Sequence, residues 1–155
     1  MKYRVLARWA GVLVLASLAS AHAPSSTTNV ATATKITVFK DPNCGCCQQW
    51  VEHLRKHSFE VAVRDTSDVS GAKRTGRVPE PLYSCHTAFV GGYVVEGHVP
   101  AADIQRMLKE KPRIAGIAVG GMPAGSPGME VGTRKDPYDV VAFDRDGTTR
   151  VFARH

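Results

Sequence analysis

The stretch Ile36-Thr-Val-Phe-Lys-Asp-Pro-Asn-Cys-Gly-Cys-Cys-Gln-Gln-Trp-Val-Glu-His-Leu54 decides how this chain is read. Ile36 to Phe39 is a short β-branched and aromatic run closed by Asp41-Pro42, which predicts a strand followed by a turn. Asn43 is placed to cap a helix whose first turn holds Cys44, Cys46 and Cys47. Cys47, Trp50, Val51, Leu54 and Ser58 fall on one helical stripe, with Gln48, Gln49, Glu52 and Arg55 on the other faces. Phe59, Val61 and Val63 then alternate with Glu60, Ala62 and Arg64, which predicts a second strand. A strand–helix–strand crossover favours a parallel pair.

Downstream, Asp68 to Thr75 fits a short helix, and Pro79 and Pro81 break the chain before Tyr83. Thr87 to Val90 and Tyr93 to Val95 flank Gly91-Gly92, a hairpin signal. Pro100 opens a helix through Ala101, Ile104, Met107 and Leu108. Strand–helix–strand, hairpin, helix is the order of a thioredoxin-like core, so the expected class is α/β. Gly116 to Gly132 reads as a long Gly/Pro loop carrying Met122 and Met129. Val140 to Phe143 and Thr149 to Phe152 flank Arg145-Asp-Gly-Thr148 and predict a C-terminal hairpin.

Upstream, Lys2, Arg4 and Arg8 precede an apolar stretch from Trp9 to Ala19, then small residues. That order predicts a signal peptide over 1–21, cut after Ala21, and an exported, periplasmic chain with no membrane attachment after cleavage. Residues 22–34 read as a flexible Ser/Thr/Ala leader, and 35–155 as the folded domain. The 155-residue chain carries +6, and loss of the three basic residues of the signal leaves about +3. No basic block is interleaved with aromatics, which argues against a nucleic-acid partner.

The cysteines are Cys44, Cys46, Cys47 and Cys85. At a helix N-terminus the first three are expected to have lowered pKa values. Cys44 and Cys47 share a helical face. Cys46 joins them only if the chain bends before the helix, a freedom that Gly45 would supply. Spacing alone leaves open structural disulfides, a Cys44/Cys47 redox pair and a metal site. Zinc is poorly matched, because the second half of the set is a lone cysteine, whereas copper(I) suits crowded thiolates. In a thioredoxin-like order the segment Ser84-Cys-His-Thr87 lies beside the helix N-terminus, with cysteine where such folds place a proline. That weakens the redox reading and strengthens a four-thiolate site.

The segments Asp41-Pro-Asn-Cys-Gly-Cys-Cys47, Ser84-Cys-His-Thr87, Val95-Glu-Gly-His-Val-Pro100 and Gly121-Met-Pro-Ala-Gly-Ser-Pro-Gly-Met-Glu130 together resemble those of CopG-like proteins, a family associated with copper resistance. The resemblance spans about Ile36 to Phe152. It implies a thioredoxin-like fold, a periplasmic location, and a copper site on Cys44, Cys46, Cys47 and Cys85, as a multinuclear thiolate-bridged cluster. His86 and His98 are candidate ligands or supports. Met122 and Met129 are candidate thioether ligands on a lid, an expectation that follows from the resemblance. Expected partners are copper ions and other periplasmic copper-handling proteins. Two function classes stay open: a copper-binding protein of resistance or homeostasis, and a thiol-disulfide or copper-dependent oxidoreductase.

Overall fold

The computed structural model describes residues 33–155; the expected signal segment and almost all of the leader lie outside the described residues. β1 (Thr34–Lys40), α1 (Gly45–Lys56) and β2 (Phe59–Asp65) come first, then α2 (Val69–Gly76) and a 3-10 turn at Glu80–Leu82. β3 (His86–Val90), β4 (Tyr93–Glu96), α3 (Ala101–Glu110), β5 (Gly116–Ala118), β6 (Asp139–Phe143) and β7 (Thr149–Arg154) follow. The seven strands form one sheet in the order β2-β1-β3-β4-β5-β6-β7. The first six principal elements after α2 is set aside keep the expected strand–helix–strand, hairpin, helix order, so the chain is a mixed α/β protein. Among the described residues no helix is long and apolar enough to cross a membrane.

Strand alternation sorts the core onto two faces. Ile36, Val38, Ala88, Val95, Ile117 and Ala142 pack with Trp50, Val51 and Leu54 of α1 and Ile104 and Met107 of α3. Their neighbours Val94, Ala118 and Phe143 gather on the other face with Val78. Gly76 of α2 lies close against Val94 there: an added Cβ would sit 3.0 Å from the valine side chain, which would have to shift slightly.

Three expectations are corrected. Gly116 to Ala118, read as the start of a loop, is strand β5, parallel to β4 and antiparallel to β6. All three of its residues are buried, so it shows no alternation to read. Through β5 the C-terminal hairpin joins the main sheet. The cap of α1 is Cys44 rather than Asn43: the Cys47 backbone N–H donates to its sulfur. Ser58 lies beyond the helix in a left-handed conformation and is exposed, off the buried stripe.

Strand directions bring the chemistry together. β1 and β3 are antiparallel, with Lys40 opposite His86, so the end of β1 meets the start of β3. β4 runs antiparallel to β3, with Glu96 opposite Thr87. β5 parallels β4, with Ala118 beside Glu96. Four chain segments (41–47, 83–86, 97–100 and 119 onward) therefore leave the sheet at one end.

Candidate metal centre

Each sulfur is placed by a different local cause. Cys44 holds the N-cap with extended backbone, φ −76° and ψ 97°, which turns the chain into α1. That turn, not Gly45, admits Cys46: Gly45 is an ordinary helical residue, and a Cβ added to it would meet nothing within 4 Å. Cys46 Sγ lies 3.5 Å from Cys44 Sγ and 4.0 Å from Cys85 Sγ, across 39 residues of sequence. Cys44 and Cys47 are joined as a disulfide, while Cys46 and Cys85 are free thiols. The two-disulfide reading is thus not what the structure holds. The four sulfurs all lie within 4.8 Å of one another.

The histidines extend this set. Cys85 stands just before β3, where the strand is not yet regular, and its sulfur lies 3.3 Å from His86 Nδ1. His98 Nδ1 lies 2.8 Å from the carbonyl of Pro127, which can only accept, so Nδ1 carries the proton. His98 Nε2 therefore presents a lone pair to Cys85 Sγ at 3.1 Å. Cys85, His86 and His98 form a second compact donor group that shares Cys85 with the first. His86 is fully buried, its ring tilted over Trp50 at 4.3 Å, and its Nε2 has no hydrogen-bond partner. A buried ring nitrogen without a partner is uncommon in a settled core.

The loop after β5 closes over this end of the sheet. Ser84 Oγ donates to the Gly121 carbonyl at 2.5 Å, and the Gly121 N–H donates to Tyr83. Pro127 receives His98, and Gly128, at φ +84°, packs so tightly on α1 that an added Cβ would lie 2.8 Å from the Cys46 carbonyl. Met122 and Met129 each follow one of these anchor points. Met122 is 54% exposed and Met129 half-buried, so only Met129 is partly enclosed.

Burial pushes the Cys85 thiol up to about 12, and the adjacent Cys46 sulfur adds to the rise. Cys85 sits on a strand start rather than on the helix, so the helix dipole that was expected to favour thiolates gives it no such help. At neutral pH it keeps its proton and can share it with His98 Nε2; a soft cation would take that proton's place. The four sulfurs, with Cys44 and Cys47 reduced, and the two ring nitrogens grouped with Cys85 are donors that fit copper(I), which takes thiolate and imidazole.

Burial lowers the pKa of both His86 and His98, and Lys73 and the neighbouring histidine deepen the effect at His86. Both bind a proton less readily when folded than an unfolded histidine, which takes one near pH 6.5. Their contribution to stability is present above that value and is lost as pH falls through it, by at most about 1.4 kcal/mol per pH unit for each group. Glu96, raised by burial against the pull of Lys73, acts in the opposite sense nearer the carboxylate range. Metal-free protein should melt at a lower temperature at pH 5.5 than at pH 7.5, and His86→Phe should flatten that dependence. Equal pH slopes for the two proteins in thermal melts would contradict it.

Fold and site define a mixed α/β protein with a sulfur-rich candidate metal centre at one end of its sheet. A family model described as a protein of unknown function, DUF411, matches residues 82–129. Two solved structures of a copper resistance protein CopG, Form 1 and Form 2, match at 46% identity and a TM-score of 0.75, covering 79% of this chain and 98% of theirs. No curated protein matches. At that identity over nearly the whole of those chains, this chain belongs to the CopG family.

Proposed function

We propose that this chain is an exported copper-binding protein of copper resistance, with a thioredoxin-like core that holds copper(I) on Cys44, Cys46, Cys47 and Cys85 as one multinuclear, thiolate-bridged site. One observation carries the reading: four sulfurs from two distant segments within 4.8 Å of one another. Copper(I) is the cation these donors suit best, and shared sulfurs suit their crowding. His98 and His86 support or extend the site through Cys85. Met122 and Met129 adjust it from the loop. Copper ions are its cargo, exchanged with other periplasmic copper-handling proteins. Export places the chain in the periplasm, and a mature mass lacking 1–21 is the expected result for protein isolated from that compartment. A mass that retains those residues would refute it.

The disulfide favours a second reading, a thiol-disulfide or copper-dependent oxidoreductase. Cys44–Cys47 lies at a helix N-terminus with the free Cys46 sulfur 3.5 Å from Cys44. The same experiment separates the two. Anaerobic copper(I) titration, read by mass spectrometry, is run on fully reduced protein and on protein whose Cys44–Cys47 disulfide is intact. A copper-binding protein should load several ions when reduced and lose most of that capacity with two of its four sulfurs tied up. Equal loading in both states would remove Cys44 and Cys47 from the site. No loading in either state, with disulfide reductase activity retained, would favour the enzyme.

A further inference from the structure

Near Cys85, bonded to the backbone just before it, lies a charged pair that the copper reading does not use. Glu96 is fully buried and Lys73 is 5% exposed. Lys73 Nζ donates to Glu96 Oε1 at 2.5 Å and to Thr87 Oγ1 at 3.2 Å. Thr87 Oγ1 donates to Glu96 Oε2 at 2.6 Å. The remaining bond reaches the site: the backbone N–H of Ser84 donates to Glu96 Oε1 at 2.7 Å. The Lys73 ammonium also lies 5.5 Å from the centre of the Tyr83 ring. One carboxylate thus ties α2, β3 and β4 to the backbone immediately before Cys85.

A buried ion pair is weak evidence of stability, since apolar residues of like volume often serve as well; in some proteins such pairs serve to fix conformation instead. The segment 83–85 has no strand partner of its own, because β3 begins at His86. The Tyr83 N–H donates to the Glu80 carbonyl and the Cys47 sulfur faces the Cys85 carbonyl, but Ser84 itself is held by the Glu96 carboxylate at its N–H and by Gly121, whose carbonyl accepts from Ser84 Oγ. We propose that Lys73 and Glu96 are positioning residues for Cys85: the carboxylate holds the Ser84 N–H, the ammonium and Thr87 hold the carboxylate, and the Cys85 sulfur is kept against Cys46 and His98 before any metal arrives. This rests on the copper reading only for its consequence, slower copper release. The positioning itself is a property of the metal-free chain.

The test uses two backgrounds. In metal-free protein with Cys44, Cys46 and Cys47 changed to Ser, the rate of Cys85 alkylation by iodoacetamide reports how firmly the segment is held. In protein with all four cysteines, transfer of bound copper(I) to a chelator reports the consequence. Thermal melts accompany every variant. Lys73→Met with Glu96→Leu removes both charges together, which should keep the fold but free Ser84. Alkylation and copper release should then both rise roughly 10- to 100-fold, the range seen when groups supporting metal ligands are removed. Glu96→Gln keeps an oxygen for the Ser84 N–H but leaves Lys73 without a counter-charge, so its melting temperature should fall while Cys85 stays slow to react. A merely structural pair would give the opposite pairing of results. Wild-type rates in the folded double variant, or a fast Cys85 in folded Glu96→Gln, overturn the proposal. If wild-type protein binds no copper, the copper reading fails, and the alkylation rates still decide the positioning.

Discussion

Cys85→Ser is expected to remove more than one copper ion per chain, the largest loss from any single substitution at this site. Cys85 belongs to both donor groups, the four sulfurs and the set with His86 and His98. Its sulfur is the only one contributed from outside the 44–47 cluster. Four reduced sulfurs this close lose their protons against one another's charge, and shared cations that replace those protons relieve the repulsion. In a bridged cluster each sulfur serves several ions, so losing one should collapse the set, whereas independent ligands would lose affinity gradually. The fold should survive, because Cys85 is only half-buried and serine is smaller and still offers a hydroxyl proton to His98. Copper stoichiometry under anaerobic reducing conditions, for wild type and each Cys→Ser variant, measures this. A Cys85→Ser protein that binds as much copper as wild type would show that Cys44, Cys46 and Cys47 act alone.

Gly97→Ala should be the most damaging change to the scaffold beneath the site. Gly97 lies between Glu96 and His98, at φ +70°. An alanine Cβ there would stand 2.4 Å from the Val119 carbonyl oxygen and 2.6 Å from Ser84 Cβ. Both neighbours belong to segments that frame the centre, and a backbone oxygen cannot rotate aside as a side-chain end could. The left-handed conformation adds strain of about 1–3 kcal/mol and the overlap a similar amount, so a loss of roughly 3–5 kcal/mol is expected. That is a large share of an ordinary domain's stability. Copper retention should fall as well, since relief of the overlap pushes Ser84 and its neighbour Cys85 outward. Two controls isolate the cause. Gly92→Ala has the positive φ but open space and should lose about 1 kcal/mol. Gly45→Ala has neither problem and should leave stability and copper unchanged. Urea unfolding of the three variants ranks them, and a Gly97→Ala protein as stable as Gly92→Ala would show that the chain relaxes around the overlap.

The elements with a strong local period were legible before any coordinates. α1 shows its stripe of Cys47, Trp50, Val51 and Leu54, all four buried. β2 alternates, the β3–β4 hairpin announces itself by Gly91-Gly92, and α2 begins one residue after its Asp68 cap. β5 was not legible: three residues, buried on both faces, have no period, and what makes Gly116-Ile-Ala118 a strand is the presence of β4 and β6 on either side. The C-terminal hairpin was visible, but not its union with the main sheet, which depends on β5.

For the site, the sequence by itself determined the inventory: four cysteines, three of them at one helix start, two histidines and two methionines in motifs around them. These are matters of residue type and short spacing, which local backbone rules govern. Tertiary structure decided everything that depends on directions converging from separate strands. The antiparallel register that sets His86 opposite Lys40 delivers Cys85 to the helix start. The reach of Cys46 to 4.0 Å from Cys85 and the lone pair of His98 aimed at Cys85 both follow from that convergence, whereas the pairing of Cys44 with Cys47 is local to the helix start. Lys73 and Glu96, 23 residues apart, carried no signal of their partnership, because two opposite charges in a sequence are ordinarily two solvated surface groups. Only the assembled sheet, with α2 packed on it, takes both out of water and leaves each the other as its counter-charge.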